Sequence, residues 1–250
     1  MAAVSDIRIN IINKTYVLAH DTSQFHHAIA DVDVTVNPHQ FVCLVGPSGC
    51  GKTTLLNMIA GLDTHFDGQI SMGSIDQTPS IGYVFQNPRL LPWQTVRENI
   101  ELVFADTPPA SLVESLLDSM QLRDAQHQYP ERLSLGMQRR AAIIRAFAIN
   151  PDILLMDEPF VSLDAPTARQ VRSLLYALWQ KRPHTVLFVT HDLREAIALA
   201  DRLIFLSGSP MRILSDITVP IAREQRQDEA QIEAFREQLL QKHPVISELL

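Results

Sequence analysis

Nine consecutive residues combine glycines, a lysine and hydroxyl groups in the spacing of a phosphate-binding loop. They match the pattern G-x-x-x-x-G-K-[ST], and in order they are Gly46, Pro47, Ser48, Gly49, Cys50, Gly51, Lys52, Thr53 and Thr54. Backbone N–H groups of such a loop surround an anion, the lysine reaches the outer phosphates, and the first threonine hydroxyl contacts Mg²⁺. The motif therefore predicts binding of a nucleoside polyphosphate together with Mg²⁺.

The segments on either side of this loop have the character that a phosphate site requires. Phe41 to Val45 is a short apolar run of strand type, and Leu55 to Ala60 consists of helix-forming residues. The loop is thus expected to join a buried strand to a helix N-terminus, where unpaired N–H groups and the helix dipole favour an anion. Its three glycines are expected to allow close approach of the backbone and positive φ angles.

Polar residues follow three further apolar segments. Gln86 follows Ile81–Phe85, Asp157 and Glu158 follow Ile153–Met156, and His191 follows Thr185–Thr190. Carboxyl ends of parallel strands meet at one edge of a sheet, so these side chains and the phosphate loop are expected to converge. Taken singly, each has a plainer interpretation as a solvated or helix-capping residue. The next helix is predicted to be capped by other residues, Asp192 with Glu195, which leaves His191 available.

The chemistry that would need such a set of residues is nucleotide hydrolysis. Phosphoryl transfer requires a backbone cradle, a metal ion and a group that orients water. Asp157, at the end of an apolar strand, suits the metal role, and Glu158 beside it is the candidate base for the attacking water. The plainer alternative for Glu158 is a surface carboxylate.

Composition places the chain among globular proteins and disfavours some partners. The chain has 250 residues of which 46% are hydrophobic, enough for a substantial core, while its net charge of -7 argues against a nucleic-acid groove. The two cysteines, Cys43 and Cys50, lie in the buried strand and the loop, where a disulfide would distort the site. With no basic and apolar N-terminal segment and no apolar run of membrane-spanning length, the chain is expected to be neither exported nor membrane-spanning.

The remaining pattern divides the chain into three regions. Alternating apolar residues around Ile9 and Val34 predict an antiparallel sheet ahead of the loop, with the first strand ending at Tyr16, and Gln69–Ile75 is predicted to form another strand. Residues 1–86 and 151–206 are expected to form a nucleotide-binding core with this β subdomain, and residues 87–150, helical in pattern and divided by prolines, an inserted helical lobe. Residues 207–250 are expected to form short strands and a helical tail that docks on the body.

Several of these motifs together resemble the ATP-binding subunit of an ABC transporter. The resemblance rests on Asp157–Asp164, on Leu133–Met137, on Gln86 and on His191, and it spans Tyr16 to Leu206. It implies an α/β fold: a P-loop NTPase core with a mainly parallel sheet, an N-terminal antiparallel β subdomain and an inserted helical subdomain. It also implies ATP and Mg²⁺ as cofactors.

The resemblance implies roles for residues around the nucleotide. Tyr16 would stack on the adenine, Gln86 would contact the metal and link the site to the membrane partner, and His191 would be the switch histidine. A plainer alternative for Tyr16 is packing at a strand end.

It further implies a homodimer in which each copy completes the site of the other. Ser134 and Gly136 would contact the γ-phosphate bound to the opposite subunit, and Asp164 would lie at the dimer seam. The residues themselves support an anion site here, because Ser134 stands at an N-cap position before an apolar helical pattern. A plain N-cap remains the alternative.

Two positions depart from the family pattern. Leu135 stands where the commonest motif has its first glycine, and Gln138-Arg139-Arg140 replaces the usual Arg-Gln-Arg order. Leu135 adds a side chain at a crowded interface while the phosphate-contacting residues remain, so activity with altered dimer affinity is expected.

Within the family, Asn87–Trp93 and Asp157–Asp164 resemble importers of nitrate, sulfonate, taurine and related small solutes. That resemblance implies a membrane permease, an extracytoplasmic solute-binding protein and a peripheral position on the cytoplasmic face of the bacterial inner membrane. Leu90, Leu91 and Trp93 would contact the permease or, alternatively, be buried in the helical lobe.

Two other functions compete with transport. A soluble ABC ATPase acting on nucleic acid or the ribosome is disfavoured by the acidic charge and the lack of a coiled-coil insert. A nucleotide-binding module without hydrolysis is disfavoured by Glu158. The transported solute is not encoded in this chain, and no metal other than Mg²⁺ is expected.

Overall fold

A computed structural model describes residues 6–18, 21–73, 79–226 and 228–249. In chain order the elements are β1 (Ile7–Leu18), β2 (Asp21–Val36), β3 (Phe41–Val45), α1 (Lys52–Ile59), β4 (Asp67–Met72), β5 (Ile81–Val84), α2 (Val96–Glu101), α3 (Ala110–Ser119), α4 (Leu135–Ala148), β6 (Ile153–Asp157), α5 (Ala165–Lys181), β7 (Thr185–Thr190), α6 (Leu193–Leu199), β8 (Arg202–Leu206), β9 (Ile213–Thr218), α7 (Glu229–Lys242) and α8 (Pro244–Leu249). They form two compact units, Met1–Pro79 with Thr185–Leu250 and Ser80–His184. Within the described ranges, no helix is both long and apolar enough to cross a membrane.

An antiparallel sheet in the order β2-β1-β4 forms part of the first unit. Ile7, Ile9 and Ile11 are buried while their neighbours Arg8 and Asn10 are exposed, as the alternation predicts. The predicted end of the first strand at Tyr16 is wrong, because β1 continues to Leu18. β1 extends further because the polar part of β2 also pairs with it. Backbone hydrogen bonds between strands do not depend on the polarity of the side chains. Ile75, the predicted end of the β4 segment, lies outside the described residues.

The first unit also holds a buried, mainly parallel arrangement of strands around β3. β3 pairs in parallel with β7 on one side and β8 on the other, and β9 adds an antiparallel strand to β8. Every residue of β3 and β7 is buried, as their continuous apolar sequences predict for strands covered on both faces. Helix α6 packs against β3, and α7 packs against α6. The inward residues Ile232 and Leu239 of α7 are buried, so the predicted helical tail does dock on the body.

The second unit consists mostly of helices beside two parallel strands. β5 pairs with β6, and α4 packs against β5 as well as against α2, α3 and α5. Residues 87–150 are all described and contain no strand, in agreement with their helical pattern. Trp179 is a core residue: it is buried and donates its indole N–H to the carbonyl of His184 at 2.9 Å. The observed architecture confirms the predicted α/β fold class.

Candidate functional site

The glycine-rich loop joins β3 to α1 as predicted, and two of its glycines have backbone angles that other residues avoid. Gly49 has φ 77° and Gly51, the N-cap of α1, has φ 109°. A Cβ at Gly51 would also lie 3.2 Å from the carbonyl oxygen of Ala28. These two positions therefore need glycine to present the first amides of α1 to a ligand.

Gly46 is needed for space rather than for a positive φ, which corrects one detail of the sequence-based expectation. A Cβ at this position would lie 3.1 Å from the Cβ of Leu206 and 3.2 Å from Sγ of Cys50. Cys50 and Cys43 are both buried and neither forms a disulfide, so no disulfide crosses the loop. Burial raises the pKa of the Cys43 thiol, and Glu195 adds to this effect, which leaves the thiol protonated and unreactive.

The ammonium group of Lys52 lies directly at the loop. Lys52 is buried, and its Nζ donates hydrogen bonds to the carbonyl oxygens of Gly46 at 2.8 Å and Pro47 at 2.9 Å. Thr53, the next residue of α1, is exposed at the start of the helix. The loop thus presents a positive charge, a hydroxyl group and a helix N-terminus on one short segment.

Tyr16 is held beside this loop by a cluster that the sequence analysis did not identify. Its hydroxyl donates to Oδ2 of Asp63 at 3.0 Å and lies 3.4 Å from the hydroxyl of Thr54. Nζ of the buried Lys14 lies 4.5 Å from the centroid of the Tyr16 ring, 2.7 Å from Oδ1 of Asp63 and 2.7 Å from the carbonyl oxygen of His65. The ring itself is 39% exposed, so it can still contact a ligand.

The Asp63 carboxylate holds this cluster together in its ionised form. Burial alone would raise the pKa of Asp63, but hydrogen bonds from Lys14, the His65 amide and Tyr16 lower it below its ordinary value. No local sequence pattern could reveal the cluster, because Lys14 and Asp63 are 49 positions apart.

His191 and the glycine-rich loop both follow strands that end at the same edge of the sheet. The last residue of β7, Thr190, pairs with Val45, the last residue of β3, and His191 follows as an exposed residue. Asp192 caps α6 by accepting from the amides of Arg194 at 2.8 Å and Glu195 at 3.3 Å, as predicted. The glycine-rich loop and His191 therefore follow neighbouring parallel strands at the same edge of the sheet.

A cavity of about 430 Å³ lies next to His191. It is lined by the start of α6 and by the tail helices, through His191, Asp192, Leu193, Arg194, Arg236, Leu240 and Ser247. Arg194 and Arg236 both form ion pairs with Glu233, at 2.7 Å and 2.8 Å. The tail therefore contributes to the surroundings of the histidine.

Gln86, Asp157 and Glu158 share an edge within the second unit. Val84 of β5 pairs with Met156 of β6, so the residues that follow both strands leave the sheet side by side. Asp157 is buried, whereas Gln86 is exposed. Glu158 is half-buried and has φ 43°, a left-handed conformation that is costly for a residue with a side chain. Strain of this kind is typical of residues held in place at functional sites.

Asp157 affects the pKa values of two nearby residues, Tyr83 and Arg139. The pKa of the Tyr83 hydroxyl is raised by burial first and by Asp157 second, so Tyr83 remains neutral. The pKa of Arg139 is lowered by burial, and Asp157 opposes that change.

Ser134 is the N-cap of α4, as the sequence predicts. Its hydroxyl oxygen accepts from the amide of Met137 at 3.3 Å, which leaves the hydroxyl proton available as a donor at an exposed position. Gly136 is packed so closely that a Cβ would lie 2.7 Å from Cγ2 of Thr167. Leu135 between them is 37% exposed, so its side chain projects from the same surface.

Asp164 is the N-cap of α5 and accepts from the amide of Thr167 at 3.2 Å. Hydrogen bonds from the side chain and the amide of Thr167 lower the pKa of Asp164 below its ordinary value. The carboxylate is exposed and stays ionised at neutral pH.

Trp93 lies on the surface of the second unit. Its side chain is 68% exposed, so the alternative of a buried role does not apply to it. The neighbouring Leu91 is half-buried, and its backbone is held by the Asn99 side chain, which accepts from the Leu91 amide at 2.7 Å and donates to its carbonyl at 3.1 Å. A fixed backbone thus presents the tryptophan.

The strand, glycine-rich loop and helix N-terminus, with a buried lysine at the loop, define an α/β nucleotide-binding protein of the P-loop class. The ABC transporter family model matches residues 29–161. Together with the curated relatives described next, this match shows that the chain belongs to the ABC transporter family.

Three relatives are import or transport ATP-binding proteins. The aliphatic sulfonates import ATP-binding protein SsuB of Bacillus licheniformis is 39% identical over 86% of both chains. The nitrate import ATP-binding protein NrtD of Synechococcus elongatus is 38% identical over 82% of this chain and 79% of the relative. The bicarbonate transport ATP-binding protein CmpD of Synechocystis sp. is 35% identical over 89% and 82% respectively. These similarities confirm the predicted family and its importer subgroup.

A solved structure with the same fold is the dimeric structure of MJ0796, a bacterial ABC transporter cassette. It superimposes with a TM-score of 0.73 at 29% identity, covering 86% of this chain and 100% of the other. A post-hydrolysis state of the same cassette, bound to ADP and Pi, has the same TM-score at 28% identity. The chain is accordingly an ATP-binding ATPase of the transport class, and the alternative of a non-transport ATPase acting on nucleic acid is not favoured.

Proposed function

We propose that this chain is the subunit that hydrolyses ATP to drive import of a small oxyanion through a membrane permease. The observation that carries the proposal is the glycine-rich loop with Lys52 at its centre, in a chain whose relatives are named for sulfonates, nitrate and bicarbonate. These three solutes are compact anions with several oxygen atoms. The proposed cargo is a solute of that class, which includes the sulfonate taurine.

ATP binds at the loop with its phosphates on the amides that precede α1. Lys52 exchanges the carbonyls of Gly46 and Pro47 for the β- and γ-phosphates, which are the stronger partners of an ammonium group. The exposed ring of Tyr16 stacks on the adenine, and its position is supported by the hydroxyl contacts to Asp63 and Thr54. The loop residues from Gly46 to Thr54 form the cradle.

Oxygen donors of this chain fit Mg²⁺, which prefers oxygen ligands and keeps several waters. The Thr53 hydroxyl, the Gln86 side-chain amide oxygen and the Asp157 carboxylate would hold it. When bound, this ion neutralises charge on the β- and γ-phosphates.

Hydrolysis depends on a base held in a fixed position. Glu158 follows the buried Asp157 and has a constrained backbone, so its carboxylate is well placed to accept a proton from the attacking water. His191, which directly follows β7, contacts the γ-phosphate. Gln86 links the nucleotide site to the permease.

Two copies of the chain enclose ATP between them. Ser134 and Gly136 of one copy contact the γ-phosphate held by the other, and Asp164 lies at the seam. The free hydroxyl proton of Ser134 and the dimeric MJ0796 cassette support this arrangement. In this proposal the exposed Trp93 forms part of the permease contact. The dimer lies on the cytoplasmic face of the inner membrane, and an extracytoplasmic solute-binding protein acts on the other side.

Growth of a deletion strain tests the proposed function. A strain that lacks this chain is expected to lose growth on at least one small oxyanion as the sole sulfur, nitrogen or inorganic carbon source, and to grow normally on cysteine and ammonium with carbon dioxide supplied. The parent chain restores growth. A Glu158→Gln chain at the same cellular level does not, because it lacks the proposed base.

Normal growth of the deletion strain on aliphatic sulfonates, taurine, nitrate and low bicarbonate would contradict the proposed solute class. Full rescue by Glu158→Gln would instead contradict the role of Glu158.

A further inference from the structure

Arg139 lies in the interior of the second unit, although the family pattern has glutamine in its place. It belongs to α4 and is 4% exposed. A charged side chain that is this deeply buried requires partners, because removal of a guanidinium from water is costly.

The partners of Arg139 are backbone carbonyls from two different loops. Nη1 donates to the carbonyl oxygen of Gln86 and, at 3.4 Å, to that of Phe85. Nη2 donates to the carbonyl oxygen of Val161 at 3.4 Å. One guanidinium thus connects α4, the helix capped by Ser134, to the loop of Gln86 and to the segment after Glu158.

The contacts of Arg139 are better explained by the positions in which they hold the two loops than by a contribution to the stability of the folded chain. The Nε proton of Arg139 has no acceptor among the described residues, so the buried charge is incompletely satisfied. Buried ionic groups of this kind often stabilise less than apolar residues of the same size would. The planar, rigid guanidinium can bridge two loops at once, which the shorter side-chain amide of glutamine cannot.

A second arginine of the same helix holds the other end of the Gln86 loop. Arg145 donates to the carbonyl oxygens of Pro88 and Arg89, both at 2.8 Å. Removal of Arg139 would therefore free Gln86 while the rest of the loop stays attached to α4.

We propose that Arg139 is a positioning residue for ATP hydrolysis, which holds the Gln86 loop and the segment after Glu158 in fixed positions relative to α4. The inference rests on the roles proposed above for Gln86 and Glu158. It assigns a function to one of the two departures from the family motif. Because Arg139 acts through these two loops, its loss is expected to slow turnover without weakening ATP binding.

Hydrogen exchange of the purified full-length chain, without nucleotide, tests the structural part independently of activity. In Arg139→Gln, amides in peptides covering residues 85–87 and 159–163 are expected to exchange about tenfold faster, because each loop loses a charge-assisted hydrogen bond. Arg140→Gln is the matched control: Arg140 is the next residue of α4 and donates to the carbonyl of Met120 at 2.8 Å. It is expected to accelerate exchange around residues 119–122 only.

Steady-state kinetics test the functional part. For Arg139→Gln we expect kcat to fall about tenfold with the KM for ATP within about twofold, since a small displacement of catalytic groups is sufficient for such a loss. Arg139→Lys keeps the charge and one donor group and should recover part of kcat. Arg140→Gln should keep the parent kcat.

Parent-like exchange in both loops of a folded Arg139→Gln chain would overturn the proposal, as would a parent-like kcat. Failure of both Arg139 variants to fold would also overturn it, because the residue would then serve core stability. If the parent chain itself lacked ATPase activity, the proposed function would fail while the exchange result would still decide the role of Arg139.

Discussion

At the proposed phosphate site, the Lys52 ammonium is held in place by its own loop. It is buried and hydrogen-bonded to two carbonyls of its own loop, so its position is set before any phosphate arrives. Preorganisation of this kind reduces the entropy that binding must otherwise overcome. The same contacts satisfy the charge in the folded chain.

Lys52→Ala tests this arrangement at the level of a single residue. We expect the Kd for ATP to rise about 10- to 100-fold, because a hydrogen bond to a charged group contributes about 1.5–3 kcal/mol. Titration calorimetry with ATP and Mg²⁺ measures the change. Lys181→Ala is the control, since Lys181 is exposed and donates a hydrogen bond to the Ser119 hydroxyl at 3.0 Å. The Kd of Lys181→Ala for ATP should equal that of the parent chain. Equal affinities for the parent and Lys52→Ala would contradict the assignment.

At the scale of elements, Asp201 connects the start of β8 to β3 and to the C-terminal segment. Its Oδ2 accepts from the amide of Phe41 at 3.0 Å and from Arg223, and its Oδ1 accepts from Arg223 at 2.8 Å and from Arg226 at 3.0 Å. Arg226 is itself buried. Burial alone would raise the pKa of Asp201, but the hydrogen bonds from Arg223, Phe41 and Arg226 outweigh it and lower the pKa below its ordinary value.

Asp201→Asn is expected to lower the free energy of unfolding by about 2 kcal/mol at pH 7, because it leaves the buried guanidinium of Arg226 without its counter-charge and weakens the contacts to Arg223. A folded-state pKa below the unfolded value means that the contribution of Asp201 is complete above about pH 4 and is lost as the pH falls through the folded-state pKa. The variant should therefore differ from the parent strongly at pH 7 and less at lower pH. Urea denaturation at several pH values measures both effects.

Asp216→Asn is the control for this experiment. Asp216 also pairs with an arginine, Arg202, but its side chain is 40% exposed, so the loss should be below about 1 kcal/mol. If the two variants proved equally stable at pH 7, the network around Asp201 would have no special role.

At the scale of the whole molecule, the central expectation is that ATP holds two copies together. Glu158→Gln with ATP and Mg²⁺ is expected to elute as a dimer, because binding persists while turnover stops. Ser134→Arg added to this variant should return it to a monomer that still binds ATP, since the large side chain occupies the proposed γ-phosphate contact. Light scattering after size exclusion measures the mass.

Ser111→Arg in the same Glu158→Gln background is the control, because Ser111 is exposed near the start of another helix, α3. It should remain dimeric. A dimer that survives Ser134→Arg would show that the copies associate through a different surface.

Features that depend on neighbouring residues could be predicted from short stretches of sequence. The strand–loop–helix order around Lys52, the caps at Ser134 and Asp192 and the buried character of β3 and β7 all follow from short patterns. Capping, glycine angles and apolar periodicity are local interactions, so a window of a few residues contains the information. The family resemblance added the roles that chemistry alone left open.

Contacts between residues far apart in the chain could not be predicted in this way. The extension of β1 to Leu18 depends on its pairing with β2, and the Lys14–Asp63 pair and the Arg139 contacts join residues 22 to 54 positions apart. Such contacts form only when the chain has folded, because no local pattern specifies which carbonyl or carboxylate a buried charge will reach. Local patterns therefore predict the glycine-rich loop and the elements that flank it, whereas the partners of the buried charges Lys14 and Arg139 follow only from the complete fold.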